Sequence, residues 1–138
     1  MLNETSYGNK IVQKLKNINS NNLKNIENDE KELKQIEDEI NKVKNVISEE
    51  EFKKKIDNLK IKIISYREKK NNTFNEYNSL KNKELENFFV KITPLLEEFM
   101  EKNSIKIIIE KKNILIAQEN YDKTNDLVNF INTKLKYD

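Results

Sequence analysis

The sequence has no cysteine and no histidine, and it has only one glycine and one proline in 138 residues. Without cysteine there is no disulfide framework and no cysteine-based zinc site. The absence of histidine removes the commonest general base and the commonest transition-metal ligand. A single glycine, Gly8, cannot supply a glycine-rich phosphate loop. We therefore predict that the protein is not an enzyme and has no catalytic, cofactor-binding or metal-binding residues.

Long apolar runs and a large excess of one charge are also missing. No stretch approaches the roughly 18 uninterrupted apolar residues of a membrane span. The formal net charge is only +2, so bulk electrostatics do not indicate a nucleic-acid partner. Charged residues make up 36% of the chain and hydrophobic residues another 36%, which is typical of long exposed helices rather than a thick core. The length predicts one domain.

Apolar side chains recur in alternating steps of four and three residues, which is the pattern of a coiled-coil seam. Asn19, Asn22 and Asp29 interrupt the first series, and the register slips after Leu80. The residue Pro94 should kink or restart the second helix. The first series is Val12, Leu15, Asn19, Asn22, Ile26, Asp29, Leu33, Ile36, Ile40, Val43 and Ile47. The second is Phe52, Ile56, Leu59, Ile63, Tyr66, Lys70, Thr73, Tyr77 and Leu80, followed by Leu85, Phe88, Ile92, Leu95 or Leu96, and Phe99.

Ser48 and Glu51 form a capping-box pattern between these two series. It predicts that one helix ends near Ile47, that the next begins near Ser48 and that the chain reverses between them. Residues 9–87 would then form an antiparallel helical hairpin, a coiled-coil arm with its tip near 45–50. At about 1.5 Å per residue each helix would be roughly 55–60 Å long.

The charges of the two predicted helices differ in sign, with acidic residues in the first and basic residues early in the second. One interpretation is complementary faces on paired helices. The other is a basic surface near the tip for an anionic partner, with Lys53, Lys54 and Lys55 just behind Phe52. Ile61 and Ile64 lie off the seam, so they either widen the packed stripe or form an apolar face open to a binding partner.

The pattern changes after Asn103. Residues 104–110 and 114–117 predict two short strands joined by a turn at 111–113, and Asp122 or Thr124 would cap a final helix. A two-stranded hairpin is marginal alone in water, so we expect further burial against other subunits. The predicted oligomerisation residues are Ile105, Ile107, Ile109, Leu115, Leu127 and Ile131. The predicted fold is therefore mainly α with a small β element, in which residues 88–138 together with 1–8 form an oligomerisation body.

The order of these elements resembles the Skp (OmpH) family of periplasmic chaperones. The similarity is clearest in Ser104–Ala117 followed by Asp122, Thr124 and Val128, which match an apolar strand, turn, strand and D-I-T-x-x-V/L motif. Lys123 replaces the usual aliphatic residue of that motif. Residues 2–10 are similar to the family's entry into its first long helix.

The resemblance implies a periplasmic homotrimer in which three helical arms surround unfolded outer-membrane proteins. It would act as an ATP-independent holdase, with Ile61, Ile64, Phe52 and Lys53–Lys55 as candidate client contacts. Family members carry a signal peptide and a first strand that have no counterpart here, so we expect Met1 to be an internal start or the chain to be trimmed. The chain is also less basic than many members.

Two alternatives remain open from the sequence. One is a structural coiled-coil adaptor that docks a protein partner through its basic tip. A prefoldin-like chaperone is the other, but its strands lie between the two helices, whereas here the predicted strands follow the second helix.

Overall fold

A computed structural model describes residues 1–137 and contains three α-helices. They are α1 (Ser6–Val43), α2 (Glu49–Lys102) and α3 (Thr124–Lys134). Two single 3₁₀ turns, Lys111–Asn113 and Glu119–Tyr121, lie between α2 and α3. Within the described part of the chain, no helix is long and apolar enough to cross a membrane.

The chain divides into two compact units. The hairpin unit is Lys16–Leu80, and the terminal unit is Met1–Leu15 together with Lys81–Asp138. The register slip after Leu80 therefore lies at the boundary between the units.

The hairpin unit is an antiparallel pair of helices packed along the predicted seam. Cross-helix contacts join Asp29 to Lys69 and Glu32 to Lys62, so the numbering falls along α2 as it rises along α1. Ile40 and Leu59 are buried at this interface. The other apolar seam residues of the unit are half-buried, which confirms the predicted coiled-coil face. Asn19 and Lys70, both polar seam residues, are exposed and weaken that face.

The turn between α1 and α2 confirms the capping box. The backbone N–H of Glu51 donates to Ser48 Oγ at 3.2 Å, and the N–H of Ser48 donates to Glu51 Oε2 at 3.3 Å. The prediction that α1 runs to Ile47 was wrong, because α1 ends at Val43. The N–H groups of Val46 and Ile47 both donate to the carbonyl of Val43, at 2.9 and 3.1 Å, and this tight turn closes the helix.

The terminal unit has its own core, built from three helical segments. Phe88 and Ile92 of α2 are buried with Ile11 of α1 and Ile131 of α3, each at 1% exposure or less. Phe99 packs against Phe130 with ring centroids 5.5 Å apart. Leu127 and Ile131 are the buried residues of α3 and attach this helix to the core.

The first helix begins at Ser6, earlier than the predicted start at Asn9. Thr5, which is fully buried, accepts a hydrogen bond from the N–H of Gly8 on its Oγ1 at 3.2 Å. Its carbonyl accepts the N–H of Asn9 at 2.9 Å. Threonine satisfies the otherwise unpaired first donors of a helix in this way, so α1 starts immediately after it.

The expected restart at Pro94 does not occur, since α2 is continuous from Glu49 to Lys102. Proline removes the hydrogen bond to the carbonyl four residues earlier, at Val90. Both Pro94 and Val90 are exposed, so water can satisfy that carbonyl. Buried Ile92 and Phe99 anchor the helix on either side of the proline.

The predicted β-hairpin is not found in residues 1–137, which contain no strand. Glu110, Ile114 and Gln118 have extended backbone angles, but residues 106–109 and 115–117 make no backbone–backbone hydrogen bonds. The predicted turn is present as the 3₁₀ turn Lys111–Asn113. Two short strands gain little from pairing only with each other, and a single chain offers no third strand.

Candidate interaction surfaces

The most exposed apolar surface of the protein lies in the segment 105–116. Leu115 is 97% exposed, Ile116 is 89% exposed and Ile107 is 72% exposed. Contiguous apolar side chains in water usually mark a surface that another molecule covers. We name this segment the isoleucine segment.

The six predicted oligomerisation residues fall into two groups. Ile107, Ile109 and Leu115 are exposed in the isoleucine segment, and Ile105 at its start is half-buried. Leu127 and Ile131 are instead buried within the core of the terminal unit. The exposed residues of the isoleucine segment are therefore free to contact another chain. Leu127 and Ile131 instead hold α3 in place.

Sequence reasoning missed part of the isoleucine segment. Ile108, Ile114 and Ile116 are also exposed, at 43%, 41% and 89%. The alternating pattern assigned only one face to the interface, whereas both faces are open in the structure. The uninterrupted apolar runs 107–109 and 114–116 were the available signal, because strands buried on both faces have continuous rather than alternating apolar residues.

Charged contacts link the isoleucine segment to the loop that precedes α3. Lys111 Nζ lies 3.0 Å from Asp122 Oδ2, and the N–H of Thr124 donates to Asp122 Oδ1 at 3.0 Å. Hydrogen bonds from Thr124 and Lys111 hold the pKa of the Asp122 carboxyl well below its usual range. Asp122 rather than Thr124 thus provides the side-chain acceptor at the start of α3.

A second exposed apolar site lies on α2 in the hairpin unit. Ile61 and Ile64 are 64% and 57% exposed, one helical turn apart and off the packed seam. Of the two interpretations of these residues, the structure supports the open face over a widened core. We name this pair the isoleucine patch.

The residues predicted at the tip of the hairpin unit differ in their exposure to solvent. Phe52 is half-buried on the seam, while Lys53, Lys54 and Lys55 are exposed. Lys54 forms an ion pair with Glu50 at 2.8 Å, one turn earlier in the same helix. Among the described residues Lys53 and Lys55 have no ion pair.

The acidic and basic helices of the hairpin unit face each other. Lys69 Nζ lies 2.5 Å from Asp29 Oδ2, and Lys70 Nζ lies 3.2 Å from Glu30 Oε1. The Tyr66 hydroxyl donates to the same carboxylate of Glu30. The hydrogen bonds from Tyr66 and Lys70 lower the pKa of Glu30, whereas burial, followed by the bond to Glu30, raises the pKa of Tyr66. These contacts favour the interpretation of complementary helix faces.

An open groove of about 420 Å³ follows the helix interface near the tip, between Ile36 and Ile40 of α1 and Leu59 of α2. It is too open to enclose a small molecule. No group of three or more acidic side chains in residues 1–137 is placed to hold a metal ion. The exposed apolar and charged faces described above are therefore the candidate interaction surfaces.

Comparison with known proteins gives one assignment. Residues 1–131 match the sequence model of a family described as Outer membrane protein (OmpH-like). Searches of the curated proteins and of the solved structures found no significant match. The family match covers both helices of the hairpin unit, the isoleucine segment and most of α3. The chain therefore belongs to the OmpH-like family.

Proposed function

We propose that this protein is an ATP-independent holdase chaperone that keeps unfolded outer-membrane proteins soluble in the periplasm. The OmpH-like family is known for periplasmic chaperones of outer-membrane proteins, and the match over residues 1–131 is the observation that carries the proposal. A holdase needs surfaces for weak, repeated contact and no reaction site. The isoleucine patch and the exposed tip of the hairpin unit are suited to that use.

The finer proposal is that the protein works as a homotrimer. Three isoleucine segments would pair as strands, satisfying the backbone groups that a single chain leaves unpaired and burying side chains such as Leu115. Three hairpin units would then bind one client through many weak contacts, so that affinity comes from their number. The proposed contacts in each hairpin are Ile61, Ile64 and Phe52, with Lys53–Lys55 at the rim.

The direct test is aggregation of a urea-denatured outer-membrane β-barrel protein after dilution, followed by light scattering. A few-fold molar excess of the chain should suppress scattering without ATP. An equal mass of an unrelated helical protein is the control. Unchanged aggregation at that excess would contradict the holdase.

Sedimentation of the chain alone separates this proposal from the coiled-coil adaptor. A trimer is expected for the chaperone. A monomer or dimer that binds a folded partner through Lys53–Lys55, and that leaves the unfolded β-barrel protein to aggregate, would instead support the adaptor.

A further inference from the structure

The hairpin unit is almost electrically neutral, although α2 begins with a basic run. Residues 16–80 contain 14 Lys and Arg against 13 Asp and Glu, a net charge of +1. A basic surface that steers an acidic partner needs a net field of one sign. The hairpin unit lacks such an excess.

Much of the basic run is also engaged by the protein's own carboxylates. Lys62, Lys69 and Lys70 reach across to Glu32, Asp29 and Glu30 on α1, at 4.0, 2.5 and 3.2 Å. Lys54 and Lys60 pair within α2. An acidic client segment would have to displace these carboxylates, so it would gain little from contacting the same lysines.

Among residues 1–137, no other side chain covers the isoleucine patch in this way, since both of its members are more than half exposed. Its neighbours at helical spacing on the same face are polar, with Asp57 on one side and Glu68 on the other. A partner helix would need apolar positions sustained over three or four heptads, which this face does not have. A folded partner would cover roughly 800 Å², far more than two isoleucines offer. The surface therefore fits a short apolar stretch of a flexible, unfolded chain.

We infer that the hairpin unit recognises apolar stretches of its clients through Ile61 and Ile64, and that charged groups, the rim lysines Lys53–Lys55 included, add little to the affinity. This inference rests on the proposed chaperone function and names the class of segment bound. It predicts binding that barely depends on ionic strength, in spite of the basic run on α2.

The test is the affinity of the full chain for a fluorescently labelled, urea-denatured outer-membrane β-barrel protein. Binding is measured after dilution at about 0.1 M and about 1 M NaCl, between which the Debye length falls from about 10 Å to about 3 Å. The affinity should change by less than about twofold, because screening acts on charge and not on apolar contact.

Two matched variants assign the contact. Ile61→Ser with Ile64→Ser should weaken binding at least about fivefold by removing apolar area. Lys34→Gln with Arg67→Gln removes two exposed cations from the same part of the hairpin, neither of which has an ion pair among residues 1–137. This second variant should bind within about twofold of the original chain. Since all four side chains are exposed, unchanged circular dichroism and Tm should confirm that both variants fold.

A tenfold loss of affinity in high salt, or a larger loss in the charge variant than in the isoleucine variant, would overturn the inference and leave the chaperone function standing. Failure of the original chain to bind at either salt concentration would overturn both.

Discussion

The backbone N–H of Ser6, the first residue of α1, donates a 2.7 Å hydrogen bond to Oδ1 of Asn132 in α3. The two residues are 126 positions apart in the sequence, and both belong to the terminal unit. One side chain of α3 thus caps the start of α1. Tyr137, just after α3, packs on Tyr7 with ring centroids 5.0 Å apart and reinforces the same contact.

Asn132→Ala should destabilise the protein by about 1 kcal/mol, because it leaves a first-turn donor of α1 without its acceptor. This corresponds to a fall in Tm of about 2–4 °C for a chain of this size. Asn129→Ala is the control, since Asn129 is exposed in the same helix and gains the same helix propensity on substitution. If thermal unfolding gives the two variants equal Tm values, the cross-helix cap contributes nothing.

Gly8→Ala should lower the stability of the folded protein more than a surface substitution does. A Cβ at position 8 would lie 2.0 Å from the carbonyl oxygen of Leu2, so the segment before α1 would have to move. Overpacking of this kind costs about 1–3 kcal/mol. Chemical denaturation should show this loss, whereas Asn9→Ala at the exposed neighbouring position should change stability little. A Gly8→Ala variant as stable as the original chain would show that residues 1–4 are not held against the helix.

The Glu30 carboxylate should make the hairpin unit sensitive to acid. Its pKa in the folded protein is lowered from 4.5 by the hydrogen bonds from Tyr66 and Lys70. The stabilisation that the Glu30 carboxylate gives the folded protein is therefore fully present above about pH 4.5. It is lost as the pH falls through the lower pKa that Glu30 has in the folded state. Tyr66→Phe should raise the pKa of Glu30 in a carboxyl-carbon NMR titration, and Lys70→Gln should do the same. If neither substitution moves the titration, Glu30 is not bonded as described.

Leu115→Asp should prevent assembly without unfolding the chain. Leu115 is 97% exposed in the single chain, so a charge there costs the protomer little, but it would be buried between paired isoleucine segments. Sedimentation velocity should show the trimer replaced by monomer, with helix content unchanged. Val46→Asp, at an 81% exposed position in the turn between α1 and α2, should remain a trimer. If the two variants assemble equally, the isoleucine segment is not part of the interface between subunits.

Local patterns were sufficient to predict the helical hairpin and its packed face. The apolar positions at heptad spacing are the less exposed ones because the 3.6-residue period determines which side chains share a helix face. The Ser48–Glu51 capping box was recognisable because its contacts span only three residues. The start of α3 near Thr124 also follows from local capping chemistry.

Contacts between distant parts of the chain were not predictable in this way. Nothing in the periodicity links Asn132 to Ser6. The close approach of Leu2 to Gly8 is local, but it lies before the periodic pattern begins and was missed as well. The predicted β-hairpin is unconfirmed, because residues 1–137 contain no strand. Short extended segments need pairing partners to become stable strands. The spacing of Ile61 and Ile64 placed them off the packed seam, but only the structure shows that both side chains are exposed.

The most direct test of a trimeric holdase is sedimentation of a labelled, urea-denatured outer-membrane β-barrel protein diluted into excess chain. A trimeric holdase should give one soluble complex that contains client and three copies of the chain, with the client still lacking β-structure by circular dichroism. Client that pellets as aggregate while the chain remains free in the supernatant would contradict it.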